Sequence, residues 1–302
     1  MLLFSFLMSG LIFFGLIRGY YALELWLNDP FLEAMLITPL VYWRVRYFEA
    51  KPSGRPRRFD MRQNATFVIN LDSDAGRFQS FQKVNIADNG EFYQRFSAFR
   101  WIPASTKPSS LRGKQNELVV LSDAERETLS MQEQAMNRYP FLKYSVQNGL
   151  PGSAGCTMSH IQVLEQLVDD NMNEYYFIFE DDARLSAQLL QQRYLEGPPD
   201  ADIIILSPTN TKTVRVPYDH GPEGFAVRVV QSYGAFAYVV TQRGATKLLQ
   251  HFHGNHYDPI DVAFHRAKGV KMYQPTNGWP QAYHSAVRST RHAANKKRGD
   301  ME

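Results

Sequence analysis

Glu180, Asp181 and Asp182 stand side by side in the stretch YYFIFEDDARL (175–185), directly after an apolar run of buried-strand type. Adjacent carboxylates repel one another and are costly to desolvate together. Either the knot is a solvated turn at a strand end, where aspartates commonly fall, or something positive sits on it. On an extended chain Glu180 and Asp182 point to one side and Asp181 to the other. Such a pair of oxygen ligands suits a hard divalent cation, Mn2+ or Mg2+, with positions left for water and substrate phosphates.

Other residues offer weaker chemistry. SAGCTMSH (153–160) places Ser159 and His160 near a helix start, where free N–H groups attract anions. The alternative for His160 is a hydrogen-bonded core histidine. Cys156 reads as a small buried residue, since no Cys/His pattern makes it a nucleophile. His251 and His253 in HFHGNH differ by two, the wrong spacing for one helix face, and no cysteine pattern supports zinc there. Asp258 and Asp261 flank Pro259-Ile260, each as a helix cap or as a carboxylate base.

These residues need a scaffold. TFVINL (66–71), FSAFRWIPA (96–104), YYFIF (175–179), DIIIL (202–206) and GAFAYVVT (234–241) read as strands. Helical patterns follow DSDAGRFQSFQKV (72–84) and cover 122–139, 156–170, 242–252 and 258–267, while LPGSAG (150–155) reads as a turn. Strand–helix alternation over most of 66–270 predicts an α/β fold with a mostly parallel central sheet covered on both faces. Ligands of such sheets gather at the carboxyl ends of strands, where EDD and NLD (70–72) both stand.

The 302 residues allow one large domain with an appendage, and 44 % apolar content suffices for a core. A net charge of +3 argues against a polyanion or nucleic-acid binder. A single cysteine cannot form an internal disulfide, so nothing demands an oxidising compartment. Residues 1–17 carry no charged side chain, and GYYALELWL extends them with interfacial aromatics. That composition fits an N-terminal membrane anchor or interfacial helix; a buried helix and a signal peptide are the alternatives. Arginines and lysines from Arg18 to Arg58 keep the C-terminal bulk on the cytoplasmic face by the positive-inside rule. Residues 31–48 could lie along a membrane surface, with Pro39 breaking or kinking a helix there. The expected organisation is an anchor and juxtamembrane segment (1–48), a linker (49–63), a globular domain (64–287) and a basic tail (288–302).

Taken in order, VINLDSDAGRFQSF, GCTMSHIQVLEQL, YYFIFEDDARL, DIIILS, YGAFAYVVTQRGATKLL and DPIDVAFHRA resemble glycosyltransferase family 25. That family includes bacterial lipooligosaccharide galactosyltransferases and relatives of collagen galactosyltransferases. The resemblance implies a GT-A-like nucleotide-sugar-binding fold, a UDP-sugar donor with galactose as the expected sugar, and inverting transfer to a glycan or lipid-linked acceptor. It sets Glu180, Asp181 and Asp182 where the family's DxD-like motif stands, with glutamate in the first place. Asp182 is then the expected metal ligand, and Glu180 and Asp181 the expected donor contacts. Asn70 and Arg77 match the first-strand motif and line the donor site by the same resemblance. Ser159 and His160 match its SH pair. Asp261 matches the aspartate of a late P-x-D-like segment and is the expected base, with Asp258 and Glu180 as rivals. The alternative is a membrane-bound nucleotide-sugar or carbohydrate-binding protein without catalysis.

Overall fold

The computed structural model describes residues 38–85, 92–101, 123–143, 151–207, 211–254 and 258–284. The chain divides into two compact units, Met1–Ala50 and Lys51–Glu302. The apolar segment 1–37 and the basic tail 288–302 lie outside the described residues. In the first unit, helix α1 (Thr38–Tyr47) contains Pro39 and runs on past it, and residues 31–37 of the expected surface segment lie outside the described residues. Among the described residues no helix is long and apolar enough to cross a membrane.

The second unit runs β1 (Arg57–Asp60), β2 (Thr66–Asn70), α2 (Ala75–Val84), β3 (Gln94–Ser97), α3 (Asp123–Arg138), α4 (Pro151–Asp169) and β4 (Tyr175–Glu180). It continues with β5 (Ala183–Leu185), α5 (Ala187–Gln192), β6 (Tyr194–Gly197), β7 (Ile203–Ile205), β8 (Lys212–Pro217), β9 (Phe225–Gln231), β10 (Ala237–Thr241), α6 (Gln242–His253), α7 (Ile260–Arg266), β11 (Met272–Tyr273) and β12 (Ala282–His284). The main sheet has eight strands in the order β3-β2-β4-β10-β7-β11-β9-β8. β3, β2 and β4 are mutually parallel, as are β7 and β11. β10 runs antiparallel to both β4 and β7, and β8 and β9 form an antiparallel hairpin whose β9 also opposes β11. The sheet is therefore mixed, not mostly parallel. The alternation of strand and helix fails after β7: no described α-helix separates β7, β8, β9 and β10, and β8 turns back directly into β9 as an antiparallel hairpin.

Both faces are covered, as the alternation predicts. Tyr176 and Ile178 of β4 join Ile161, Leu164 and Leu167 of α4 and Leu248 and Phe252 of α6 in one core cluster. The odd-numbered residues turn the other way. Tyr175 meets Phe59 edge-to-face at 5.1 Å, and Phe179 lies 6.4 Å from Phe81 of α2. The residues 151–155, expected as a turn, are instead the first turns of α4. Gly155 has its own reason: a Cβ there would lie 2.9 Å from the Phe99 carbonyl oxygen, so only glycine lets the helix approach that backbone.

The last residues of the expected linker are also structural. β1 pairs antiparallel with β6, and Phe59 is wholly buried. The Asp60 N–H donates to the Tyr175 hydroxyl at 2.8 Å. Removal of residues 1–50 should therefore leave cooperative urea unfolding of the second unit intact, whereas removal of 1–61 should weaken it. Phe59→Ala alone should cost about 3–5 kcal/mol. Equal melts for the two truncations would show that β1 is not part of the core.

Candidate functional site

The carboxyl ends of β3, β2 and β4 lie level, with Asn70 opposite Ser97 and Ile69 opposite Glu180. The carboxylate knot begins there. The two-residue alternation that sends Tyr176 and Ile178 towards α4 also carries Glu180 to that face. There it meets His160 Nε2 at 3.3 Å and Cys156 Sγ at 3.7 Å. Asp181 goes to the α2 face. The chain turns at Asp181–Asp182, so Asp182 does not return to the side of Glu180 as an extended strand would require. It too meets α2.

Arg77 of α2 is the cation the knot needs. Its guanidinium donates to Asp181 Oδ1 through Nε (2.8 Å) and Nη2, and to Asp182 Oδ2 through Nη2 at 3.1 Å. Asn70 completes the clamp. Its amide donates to Asp181 Oδ2 at 2.7 Å and to the Asp74 carbonyl at 3.1 Å. Arg95 of β3 in turn donates twice to Asn70 Oδ1, at 3.0 and 2.7 Å, which fixes the orientation of the amide. From the other side, β12 pairs with β5 and brings His284 Nε2 to 3.4 Å from Asp182 Oδ2. Asn85 holds β5 in place through the Ala183 carbonyl and the Leu185 N–H.

Burial raises the Asp181 carboxyl above its ordinary value, against the pull of Asn70 and Arg77. Asp182 is also raised, by burial and then by Glu180, with His284 and Arg77 opposing. Asp181 has both oxygens engaged. Asp182, only 4 % exposed, keeps Oδ1 buried with no hydrogen-bond partner among the described residues. A buried carboxylate oxygen without a partner is costly, and a proton, a water or a hard cation would each satisfy it. The donor chemistry thus fits Mn2+ or Mg2+ at Asp182, whereas Asp181 serves the clamp.

The GCTMSH segment serves three purposes on one helix. Gly155 allows contact with the 99–101 backbone, and Ser159 Oγ accepts from the Phe99 N–H while donating to the Gly155 carbonyl, both at 2.8 Å. Ser159 is buried and its hydroxyl is committed to positioning α4, away from the knot. His160, wholly buried, joins Glu180 to the Tyr238 hydroxyl of β10, which lies 2.8 Å from Nδ1.

Asp261 is half-buried in the first turn of α7, one residue beyond the position next to the Pro259 cap. Its Oδ2 accepts from the Gly234 N–H and its Oδ1 from the Val262 N–H, both at 3.0 Å. The 234–236 segment links it to the knot, because the Glu180 N–H donates to the Phe236 carbonyl at 2.8 Å. Asp258 belongs elsewhere. It is buried between His251 Nε2 (2.9 Å) and Arg266 Nη1 (2.6 Å), so His251 ties the end of α6 to the start of α7. Asp258 is 5 % exposed and held between His251 and the Arg266 guanidinium, which does not suit a base that must meet an acceptor hydroxyl. The structure thus gathers Asn70, Arg77, His160, Glu180, Asp181 and Asp182, places Asp261 one loop away, and leaves Ser159 and Asp258 in supporting contacts. Sequence reasoning missed Arg95, Tyr238 and His284, which carry no local signal: each is an ordinary strand residue until the sheet is assembled.

A sequence model described as glycosyltransferase family 25 (LPS biosynthesis protein) matches residues 63–263. No curated protein matches the chain. The matched region spans the knot, the clamp and the α4 segment.

Two outcomes follow from this geometry. Arg77→Ala should cost about 3–5 kcal/mol in denaturant melts, since it strands two buried carboxylates. For Asp258, burial would raise the carboxyl, but His251 and Arg266 prevail and hold it below its ordinary value of 3.8. Its stabilisation is therefore complete above that pH and lost as pH falls through the depressed folded value. Asp258→Asn should be less stable than wild type at pH 7, and the gap should narrow below about pH 4. A gap independent of pH would exclude the ionic role.

Proposed function

This chain belongs to glycosyltransferase family 25, and we propose that it transfers galactose from a UDP-sugar to a glycan or lipid-linked acceptor with inversion. The observation that carries this reading is the buried Oδ1 of Asp182, without a hydrogen-bond partner among the described residues, at the carboxyl end of a core strand braced by Arg77. On this reading the 66–285 region is a GT-A-like nucleotide-sugar-binding domain, with Glu180 and Asn70 bordering the donor.

Asp182 would hold a divalent cation through Oδ1. That ion would offset the charge of the donor diphosphate and of the departing UDP. Arg77 does not reach for the donor in this scheme; it keeps Asp181 and Asp182 in place. Asp261 takes the acceptor hydroxyl proton as that oxygen attacks the anomeric carbon. Each of its oxygens accepts one backbone N–H and retains a second lone pair for that proton. The two N–H bonds fix its direction. Glu180 remains the rival base, because its side chain is partly exposed next to the same ligands.

A membrane position for the acceptor is part of the same proposal. Exposed Trp43, Tyr47 and Phe48 alternate with Arg44 and Arg46 along α1 and its end, the composition of a lipid-facing surface. Arg55, Arg57 and Arg58 follow closely in sequence and would add attraction to anionic lipid.

The direct test is UDP release and product formation from a UDP-sugar panel with Mn2+. Asp182→Asn should abolish transfer while melting cooperatively; wild-type turnover at limiting Mn2+ would remove the metal role. Asp261→Asn keeps an oxygen acceptor for Gly234 or Val262 and should remain folded and bind UDP. Its transfer rate should fall about 10²–10⁴-fold. Activity within a few-fold of wild type would move the base to Glu180.

A further inference from the structure

Cys156 and His160 are four residues apart on α4, so they project from one helix face, and Glu180 comes to meet them from the end of β4. Their ligand atoms, Sγ, Nε2 and a carboxylate oxygen, all lie within 4.8 Å of one another. We propose that Cys156, His160 and Glu180 form a binding site for a borderline-soft divalent ion, Zn2+, separate in chemistry from the hard-ion position at Asp182.

Two of the three ligand–ligand edges match tetrahedral coordination, and the third, from Sγ to Nε2, lies within 4.8 Å. Ordinary Zn–N, Zn–O and Zn–S bond lengths in a tetrahedron give N···O edges of about 3.3 Å and S···O edges of about 3.5 Å. The observed separations are 3.3 Å from His160 Nε2 to Glu180 Oε1 and 3.7 Å from Cys156 Sγ to the same oxygen. A charge-assisted N–H···O bond would be shorter, about 2.7–2.9 Å. The imidazole is also held as a metal ligand usually is. Tyr238 Oη stands 2.8 Å from Nδ1, and with Nδ1–H donating to it, the Nε2 lone pair faces Cys156 and Glu180. The thiol selects the ion, because Mg2+ prefers oxygen donors alone. Binding forms bonds from the thiolate, imidazole and carboxylate to the ion and releases the thiol proton to solvent, so affinity rises with pH. A fourth position remains for water or a substrate oxygen. The site would tie α4 to the end of β4, next to the acidic turn.

Equilibrium dialysis of chelator-treated full-length protein with Zn2+, together with Co2+ absorption, tests this directly. The wild type should bind one Zn2+ per chain, and Co2+ should develop a thiolate-to-metal charge-transfer band. Cys156→Ser should lose the band and bind Zn2+ at least about tenfold more weakly, and Tyr238→Phe should weaken binding about 10–100-fold. Asp182→Asn should keep the band, which separates this site from the one proposed for the donor. Absence of the band in wild type, or equal Zn2+ affinity in Cys156→Ser, would overturn the proposal. The wild-type Co2+ spectrum needs no variant to fold, and Mn2+-dependent UDP release tests the transferase reading independently.

Discussion

Two aspartates are buried side by side at the end of the strongest core strand, and most of the site follows from the need to compensate them. Each buried carboxylate costs several kcal/mol of desolvation unless its oxygens are met. Arg77 meets both, and it can do so only because α2 starts right after β2 and runs beside β4. Asn70 meets the second oxygen of Asp181 and is itself held by Arg95. Five elements, β2, α2, β3, β4 and β12, thus converge on one turn. What the network leaves open is informative: Oδ1 of Asp182 is the atom it does not satisfy.

The opposite face of the strand shows the same economy with a different helix. The glycine, cysteine, serine and histidine of α4 occur within six residues, yet each answers a different demand. Gly155 permits close approach and Ser159 fixes the helix against the Phe99 backbone. With the helix so placed, Cys156 and His160 reach Glu180. A change at Gly155 would therefore disturb the Glu180 contacts without touching them, since the backbone oxygen at 2.9 Å cannot yield as a flexible side chain could.

The core strands were legible because their residues are buried on both faces. TFVIN and YYFIF read as continuous apolar runs, and α4 and α6 show helical spacing. Sheet direction was not legible in the same way. β10 is as apolar as a parallel strand would be, and only its pairing with both β4 and β7 reveals that it runs the other way. β8 and β9 escaped notice because polar residues punctuate them, as in an exposed hairpin. The expected turn at 150–155 fell to packing: glycine and proline signal a break locally, but a close helix-to-backbone contact reverses that preference.

By itself the sequence determined that an acidic knot ends a buried strand, that Glu180 and Asp181 face opposite ways, and that a GC-x-x-SH helix precedes them. Strand periodicity and local composition suffice for these, since they depend on neighbours in the chain. The tertiary structure alone decided which cation answers the knot, which carboxylate oxygen stays open, and that Ser159 and Asp258 support the scaffold. Arg77 and His284 each lie more than 100 positions along the chain from the aspartates they meet, and electrostatic compensation acts through space, not along the sequence.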